Sequence, residues 1–88
     1  MPAFEIEGPW RLDPQVALRD ESFGALAYHY GTRRLVFLKS LSLVGLVTHL
    51  EAYPTAAAAL DALAPEGERA RYEAALARLA DSGVISAG

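Results

Sequence analysis

The side chains of this sequence that are able to do chemistry are few and scattered. The two histidines, His29 and His49, fall on different predicted elements, and neither has a carboxylate at the close spacing that metal sites commonly use. The serines lack a G-x-S-x-G context, no glycine-rich phosphate loop occurs, and there is no cysteine. The sequence therefore predicts a protein that is not an enzyme and that holds no metal ion or cofactor of its own.

Basic side chains are the remaining candidates for a functional site. The chain has eight basic and eleven acidic residues, and its net charge of -3 disfavours non-specific binding to nucleic acid or anionic lipid. Arg69, Arg71 and Arg78 are typical of a solvated helix face, because acidic residues lie three or four positions away. The cluster of Arg33, Arg34 and Lys39 is harder to explain in that way, so we consider it a candidate for binding.

The segment from Tyr28 to Leu38 carries the strongest local signal, that of a β-hairpin. Gly31-Thr32 favours a type II′ turn, because glycine accepts a positive φ at the first central position. The second arm, Arg34 to Leu38, is apolar on both faces and has no later strand to pair with. Either the chain's own helices cover this edge, or its backbone groups bind a peptide from outside.

The elements that hold this hairpin are predicted as three strands followed by three helices, an α+β layout. The first strand begins after Pro14, and Phe23 to Tyr30 reads as a middle strand covered on both faces. Gly24 indicates a bulge or a close backbone approach. Tyr28, His29 and Tyr30 are assigned to the core and to the outer sheet face rather than to catalysis. Trp10 reads either as a lid over the core or as a binding anchor.

The three helices are predicted from caps and apolar spacing. Ser40 or Ser42 caps the first helix, whose buried face carries Leu43, Leu46, Val47 and Leu50 and which ends near Tyr53-Pro54. Thr55 caps a short helix over residues 56–63. The third helix runs roughly from Glu68 to Asp81, with Gly83 as its C′ residue.

The chain length of 88 residues predicts a single domain over residues 10–88, preceded by a mobile segment over residues 1–9. The start of the sequence has no basic region followed by an apolar one, and the apolar run from Leu41 to Leu50 is too short to span a bilayer. Together with the absence of cysteine, this predicts a cytoplasmic protein.

Several strings of the sequence carry a family resemblance. They are WRLDPQVALR (residues 10–19), FGAL (23–26), YHYGTRRL (28–35), FLKS (37–40) and LADSG (79–83). These strings resemble the MftB family of mycofactocin biosynthesis chaperones, and the match extends from residue 10 to residue 83, nearly the whole chain. More broadly, the chain is similar to PqqD-like domains, the recognition elements for the precursors of ribosomally made, post-translationally modified peptides.

The resemblance implies a non-catalytic adaptor. It would bind an MftA-like precursor peptide and present it to an MftC-like radical SAM enzyme, which would itself hold any iron–sulfur cluster and S-adenosylmethionine. In related domains the leader of the precursor adds as a strand beside the third strand of the meander and lies against the third helix. Carried onto this sequence, the implied peptide-binding residues are Arg33, Arg34, Leu35, Val36, Phe37, Leu38, Arg71, Tyr72, Ala75, Leu76, Arg78 and Leu79.

Two other classes of function stay open at this point. A hairpin with three helices also suits a winged-helix DNA-binding protein, although here the strands precede all the helices and no helix is strongly basic. An unpaired apolar edge also pairs readily with itself, which would make the chain a small homodimeric interaction module.

Overall fold

The structure is a computed structural model that describes residues 4–88. It confirms the predicted α+β class, with a three-stranded antiparallel sheet followed by three helices. In chain order the elements are β1 (Trp10–Leu12), β2 (Val16–Glu21), β3 (Gly24–His29), β4 (Arg34–Leu38), α1 (Leu41–Thr48), a 3₁₀ turn (Leu50–Ala52), α2 (Ala56–Leu63), α3 (Arg69–Ser82) and β5 (Ile85–Ala87).

The main sheet has the order β2-β3-β4 and is covered by helices on one face only. On its inner face Ala25, Ala27 and Leu38 are fully buried against the helical layer. On the opposite face Tyr28 is 36% exposed. The prediction that the middle strand is covered on both faces is therefore wrong. All three helices follow the sheet and pack on the same side, so within residues 4–88 no further element covers the other side.

Gly24 opens β3 at a point where two strands come close. Its φ is +153°, and a Cβ at this position would overlap the backbone carbonyl oxygen of Leu38. Only glycine accepts both the backbone conformation and the close approach. The predicted close backbone approach at Gly24 is thus confirmed, and it sets the position where β4 leaves the sheet.

The β3–β4 connection differs from the predicted type II′ turn. His29 pairs with Arg34, so the loop contains four residues, and the residue with positive φ is Arg33, at 60°, rather than Gly31. The His29 ring explains the difference, because its Nδ1 accepts hydrogen bonds from the backbone N–H groups of Gly31 (3.0 Å) and Thr32 (3.1 Å). The Arg33 N–H donates to the His29 carbonyl oxygen at 2.7 Å. A side-chain acceptor thus organises the turn in place of glycine.

The helices begin and end close to their predicted boundaries. Ser40, rather than Ser42, caps α1, and its hydroxyl accepts from the Leu43 N–H. The first helix is shorter than predicted, since it ends at Thr48 and the chain continues as a 3₁₀ turn. Thr55 caps α2 as predicted, and Gly83 ends α3 with a φ of 83°. These hydroxyl acceptors satisfy backbone donors that a helix start otherwise leaves unpaired.

A small two-stranded sheet, absent from the sequence-based prediction, joins the two ends of the domain. Antiparallel β1 and β5 pair over three residues, from Trp10 opposite Ala87 to Leu12 opposite Ile85. Three-residue strands are too short to show a period of two, and their partners are more than 70 positions apart.

The segment before β1 contacts α2. The Ala57 and Ala56 N–H groups donate to the carbonyl oxygens of Ile6 (2.8 Å) and Gly8 (3.0 Å). Trp10 is 7% exposed, and its indole N–H donates to the Glu5 carbonyl oxygen at 2.8 Å. Trp10 is therefore part of the core. Residues 1–3 of the predicted mobile segment lie outside the described residues, and the mobility of residues 1–9 stays a prediction.

Candidate functional site

A groove of about 430 Å³ lies between the start of the helical layer and α3. One wall is the connection from β4 to α1, and the other is the exposed side of α3. Its lining residues are Lys39, Ser40, Leu43, Glu68, Arg71, Tyr72, Ala75 and Arg78. Spacing along α3 brings four of them to one face, since positions 71, 72, 75 and 78 follow the three-and-four repeat of a helix.

The groove has a basic rim. Three cationic side chains, those of Lys39, Arg71 and Arg78, line it together with a single carboxylate, that of Glu68. Arg71 Nη1 lies 3.0 Å from Glu68 Oε1, so this pair is internally neutralised. Within residues 4–88, neither Lys39 nor Arg78 forms an ion pair. The local field therefore favours an anionic ligand even though the whole chain is acidic.

One hydrogen bond ties the two walls of the groove together. Ser40 Oγ and the Tyr72 hydroxyl are 3.0 Å apart, and the same Ser40 oxygen caps α1. Tyr72 is 8% exposed, so its ring belongs to the core while its hydroxyl reaches the groove. This arrangement fixes the end of β4 relative to α3.

β4 ends at this groove, since Lys39 and Ser40 directly follow it, and it is an edge strand. Among the described residues it pairs with β3 alone, so alternate residues leave N–H and C=O groups without a ladder partner on the other side. β2 forms the opposite edge, but Pro14 precedes it and it carries Arg19, Asp20 and Glu21. Charges and proline are the usual protection of an edge against further pairing, whereas β4 has a single charged residue, Arg34, at its start and otherwise presents Leu35, Val36 and Phe37.

The structure separates the predicted site residues into three groups. Those on α3 that line the groove are Arg71, Tyr72, Ala75 and Arg78. Leu38, Leu76 and Leu79 are 0%, 0% and 5% exposed and lie in the core behind the groove. The remaining five belong to the hairpin: Arg33 lies in its loop, and Arg34, Leu35, Val36 and Phe37 lie on the edge strand.

Alternation divides the hairpin residues further. Leu35 and Phe37 are 54% and 55% exposed and point to the outer face of the sheet, away from the helices. Val36 lies half-buried on the inner face. No single surface brings together all twelve predicted residues, and their role in peptide binding stays a prediction.

Four residues of the groove were absent from the predicted site, namely Lys39, Ser40, Leu43 and Glu68. Lys39 was noted as a member of the first basic cluster, and its position directly after the strand was a usable signal. The other three carry cap or core signals, which gave no indication that they also border a groove.

Within residues 4–88, no three His, Asp or Glu side chains come close enough together to hold a metal ion. His29 is buried, with its Nδ1 accepting two backbone hydrogen bonds, so its role is structural. The longest of the described helices has 14 residues, which is below the length of a membrane span.

An α+β domain of this size, with an apolar strand edge beside a basic groove, belongs to the class of small binding domains. Comparison with known proteins gives a specific relationship. The sequence model of the peptide chaperone MftB family matches residues 9–86, and the chain therefore belongs to that family.

Individual relatives agree with the family match. The peptide chaperone MftB of Mycolicibacterium smegmatis is 43% identical over 86 residues, which cover 97% of this chain and 84% of the relative. The peptide chaperone MftB of Mycobacterium ulcerans is 43% identical over 84 residues, covering 94% of this chain and 77% of the relative. That of Mycobacterium tuberculosis is 53% identical over 51 residues, or 58% of this chain and 47% of the relative. No solved structure matches the chain.

Family membership confirms the resemblance drawn from the YHYGTRRL and neighbouring strings. A member of this family is a non-catalytic peptide chaperone in mycofactocin biosynthesis. The prediction that the chain is not an enzyme is thus confirmed, and the comparisons favour peptide binding over the winged-helix DNA-binding alternative.

Proposed function

We propose that this chain binds the leader of an MftA-like precursor peptide by adding it as a strand to the open edge of β4, and that it presents the bound precursor to an MftC-like radical SAM maturase. The observation that carries the proposal is the position of an unprotected apolar edge strand beside a basic groove walled by α3. The exchange takes place in the cytoplasm, where ribosomally made precursors are synthesised.

Strand addition supplies affinity with little demand on sequence. Each peptide residue that pairs with β4 exchanges backbone hydrogen bonds, while alternate side chains point toward the helical layer and away from it. The side chains that point toward the helices reach the groove beside Tyr72 and Ala75. Backbone pairing thus holds the peptide, and the groove selects particular side chains.

The charges of the groove set the direction in which the leader binds and the rate at which it encounters the chain. Lys39 and Arg78 are the two groove cations outside the Arg71–Glu68 pair, and they stand on opposite walls. An acidic leader passing between them gains attraction on both sides. Such complementarity raises the association rate, and salt reduces the effect.

Chemistry on the precursor belongs to the maturase. The iron–sulfur cluster and S-adenosylmethionine are cofactors of that enzyme, so the chaperone contributes binding and orientation alone. Holding the leader on a rigid edge raises the effective concentration of the rest of the peptide near the enzyme.

A titration with fluorescently labelled leader peptide tests strand addition. We expect saturable binding at micromolar concentrations. A leader with N-methyl groups on alternate residues should bind at least about fivefold more weakly, since each methyl removes a backbone donor and the loss of two bonds is worth about 1–3 kcal/mol. A leader N-methylated on the other alternate set is the matched control, because its methyl groups face away from β4. Equal binding by both methylated leaders would exclude strand addition.

Charge reversal tests the groove. Arg78→Glu should lower the association rate severalfold at low salt, while the affinity difference narrows at high salt. Arg11→Glu is the control, because Arg11 is exposed on β1 outside the groove and the variant has the same change in net charge. Identical rates for the two variants would show that only total charge matters. Absence of leader binding by the unmodified chain, alone and with the maturase, would refute the proposed function.

A further inference from the structure

The outer face of the main sheet is an exposed apolar surface that the proposed leader site does not use. It carries two aromatic pairs, one at each end. The Tyr28 and Tyr30 rings meet edge to face with centroids 5.3 Å apart, and the Phe23 and Phe37 rings are tilted with centroids 6.1 Å apart. Leu35 lies between them, opposite Tyr28 in the sheet register. We call the surface formed by Phe23, Leu26, Tyr28, Tyr30, Leu35 and Phe37 the outer face.

The outer face is large for a chain of this length. Five of its side chains, all except Leu26, are between 36% and 60% exposed. With roughly 150–250 Å² for each aromatic side chain, their open surface amounts to roughly 500 Å². Contiguous apolar patches of this size on soluble proteins commonly mark interaction sites.

The surface is contoured rather than flat. One depression of about 360 Å³ is lined by Ala17, Leu18, Arg19, Leu26, Tyr28, Tyr30 and Leu35. A second, of about 450 Å³, is lined by Phe23, Phe37 and Lys39. Within the described residues, both depressions have a cation at their border and neither is lined by a carboxylate.

These features favour a different protein over a second copy of the chain. Two copies placed face to face would bring the Lys39 cations of both close to one interface; within residues 4–88 Lys39 forms no ion pair, whereas Arg19 is already paired with Glu21 of its own copy at 3.1 Å. Any protein seated on this face would bury roughly 1,000 Å² in total, which suits a transient complex and is well below the area of an obligate dimer. A partner with an apolar centre and an acidic rim fits both the shape and the charge.

The outer face is continuous with the leader site through one strand and one side chain. β4 offers its edge to the leader and, through Leu35 and Phe37, its outer side to another protein. Lys39 lines both the groove and the depression beside Phe37. A protein seated on the outer face would therefore be next to the bound leader without competing for its backbone.

We infer that the outer face is the docking surface for the radical SAM maturase, through an apolar, acid-rimmed patch on that enzyme, while the leader occupies the edge of β4. The inference rests on the proposed function. It divides the domain into two recognition surfaces that share one strand: the edge binds the substrate peptide and the outer face binds the enzyme.

The test uses the double variant Phe23→Ser/Tyr28→Thr. Both positions lie off β4, so the leader edge is kept, and threonine retains a preference for strands. The control is Leu41→Ser, which removes another exposed apolar side chain, 67% exposed, from the helical layer. Labelled leader and purified maturase are titrated separately against each full-length variant, and circular dichroism checks the fold.

We expect the double variant to bind the maturase at least about tenfold more weakly, as for the loss of an aromatic anchor. Its leader affinity should stay within about twofold of the unmodified chain, and Leu41→Ser should change neither. Arg19→Glu should also weaken maturase binding, since it places an acid against the acidic rim.

Four results would overturn the inference. Unchanged maturase binding by the double variant would place the enzyme elsewhere, and a chain that binds leader but not the maturase would show that the outer face does not dock this enzyme. Loss of leader binding in the double variant would assign the outer face to the peptide. Sedimentation showing a dimer that the double variant dissociates would assign it to a second copy. Failure of the proposed function is distinguishable from failure of this inference, because in that case the unmodified chain itself would not bind the leader.

Discussion

Gly24 and Gly45 offer a matched pair of substitutions with opposite expected effects. At Gly24 a Cβ would overlap the Leu38 carbonyl oxygen and lie 3.0 Å from both the Leu38 carbonyl carbon and the Ser40 nitrogen. At Gly45, inside α1, a Cβ would meet no atom within 4 Å. The methyl group of alanine would therefore clash with backbone atoms at Gly24, whereas at Gly45 it would meet open space.

The magnitudes follow from two separate effects at Gly24. A side chain at a φ of +153° strains the backbone by about 1–3 kcal/mol. Moving the end of β4 away from the new methyl group costs about 1–3 kcal/mol more, as for an overpacked core. Gly24→Ala should thus lower the free energy of unfolding by about 2–6 kcal/mol. Gly45→Ala should raise it by about 0.5–1 kcal/mol, because alanine is the better helix former.

Urea unfolding followed by Trp10 fluorescence measures both variants. Trp10 is the only tryptophan and is 7% exposed, so it reports on the core. An 88-residue domain has a total stability of about 4–13 kcal/mol, so Gly24→Ala alone approaches global unfolding. If it shows no folded baseline, the same substitution in a Gly45→Ala background recovers part of the transition. A Gly24→Ala variant within about 1 kcal/mol of the unmodified chain would refute the reasoning.

Three further predictions concern the turn, the helix caps and the salt dependence of binding. His29→Ala should lower the free energy of unfolding by about 2–3 kcal/mol, because it leaves two N–H groups of the turn without an acceptor and opens a cavity. His29→Asn keeps an acceptor and should lower the free energy of unfolding by less. Equal losses for the two variants in urea unfolding would contradict this account. Ser40→Ala should lower the free energy of unfolding by about 1–2 kcal/mol, against about 1 kcal/mol for Thr55→Ala, because Ser40 also forms a hydrogen bond with Tyr72 whereas Thr55 acts as a cap alone. A double-mutant cycle with Tyr72→Phe measures the coupling energy between the two hydroxyl groups, and a coupling energy of zero would contradict this hydrogen bond. In stopped-flow measurements the association rate of an acidic leader should fall as the sodium chloride concentration is raised, with little change in the dissociation rate, since the groove cations act mainly on encounter. A salt-independent association rate would show that the groove cations do not accelerate encounter.

Local signals account for most of the fold that was predicted from the sequence. Ser40, Thr55 and Gly83 mark helix ends through hydrogen bonds and a left-handed residue that involve only a few neighbouring positions. The buried stripe of α3 follows from spacing alone, with Tyr72, Leu76 and Leu79 all in the core. Such features are readable because their causes lie within one or two turns of helix.

The wrong expectations all involve partners distant in sequence or side chains with two possible roles. The turn after β3 depends on the His29 ring rather than on Gly31. The β1–β5 sheet depends on residues from opposite ends of the chain. The open outer face depends on all three helices packing on one side, which the periodicity of a single strand does not specify.

The candidate site shows the same division. Sequence alone determined that β4 has an unsatisfied edge, that α3 carries both apolar and basic positions, and that the family is that of MftB chaperones, because strand count, helical spacing and local strings are properties of the linear chain. Tertiary structure alone decided that Leu76 supports the core while Ala75 lines the groove, and that Lys39 borders both the groove and the depression beside Phe37. The physical reason is that exposure depends on what the rest of the chain covers, and only the packed molecule fixes that.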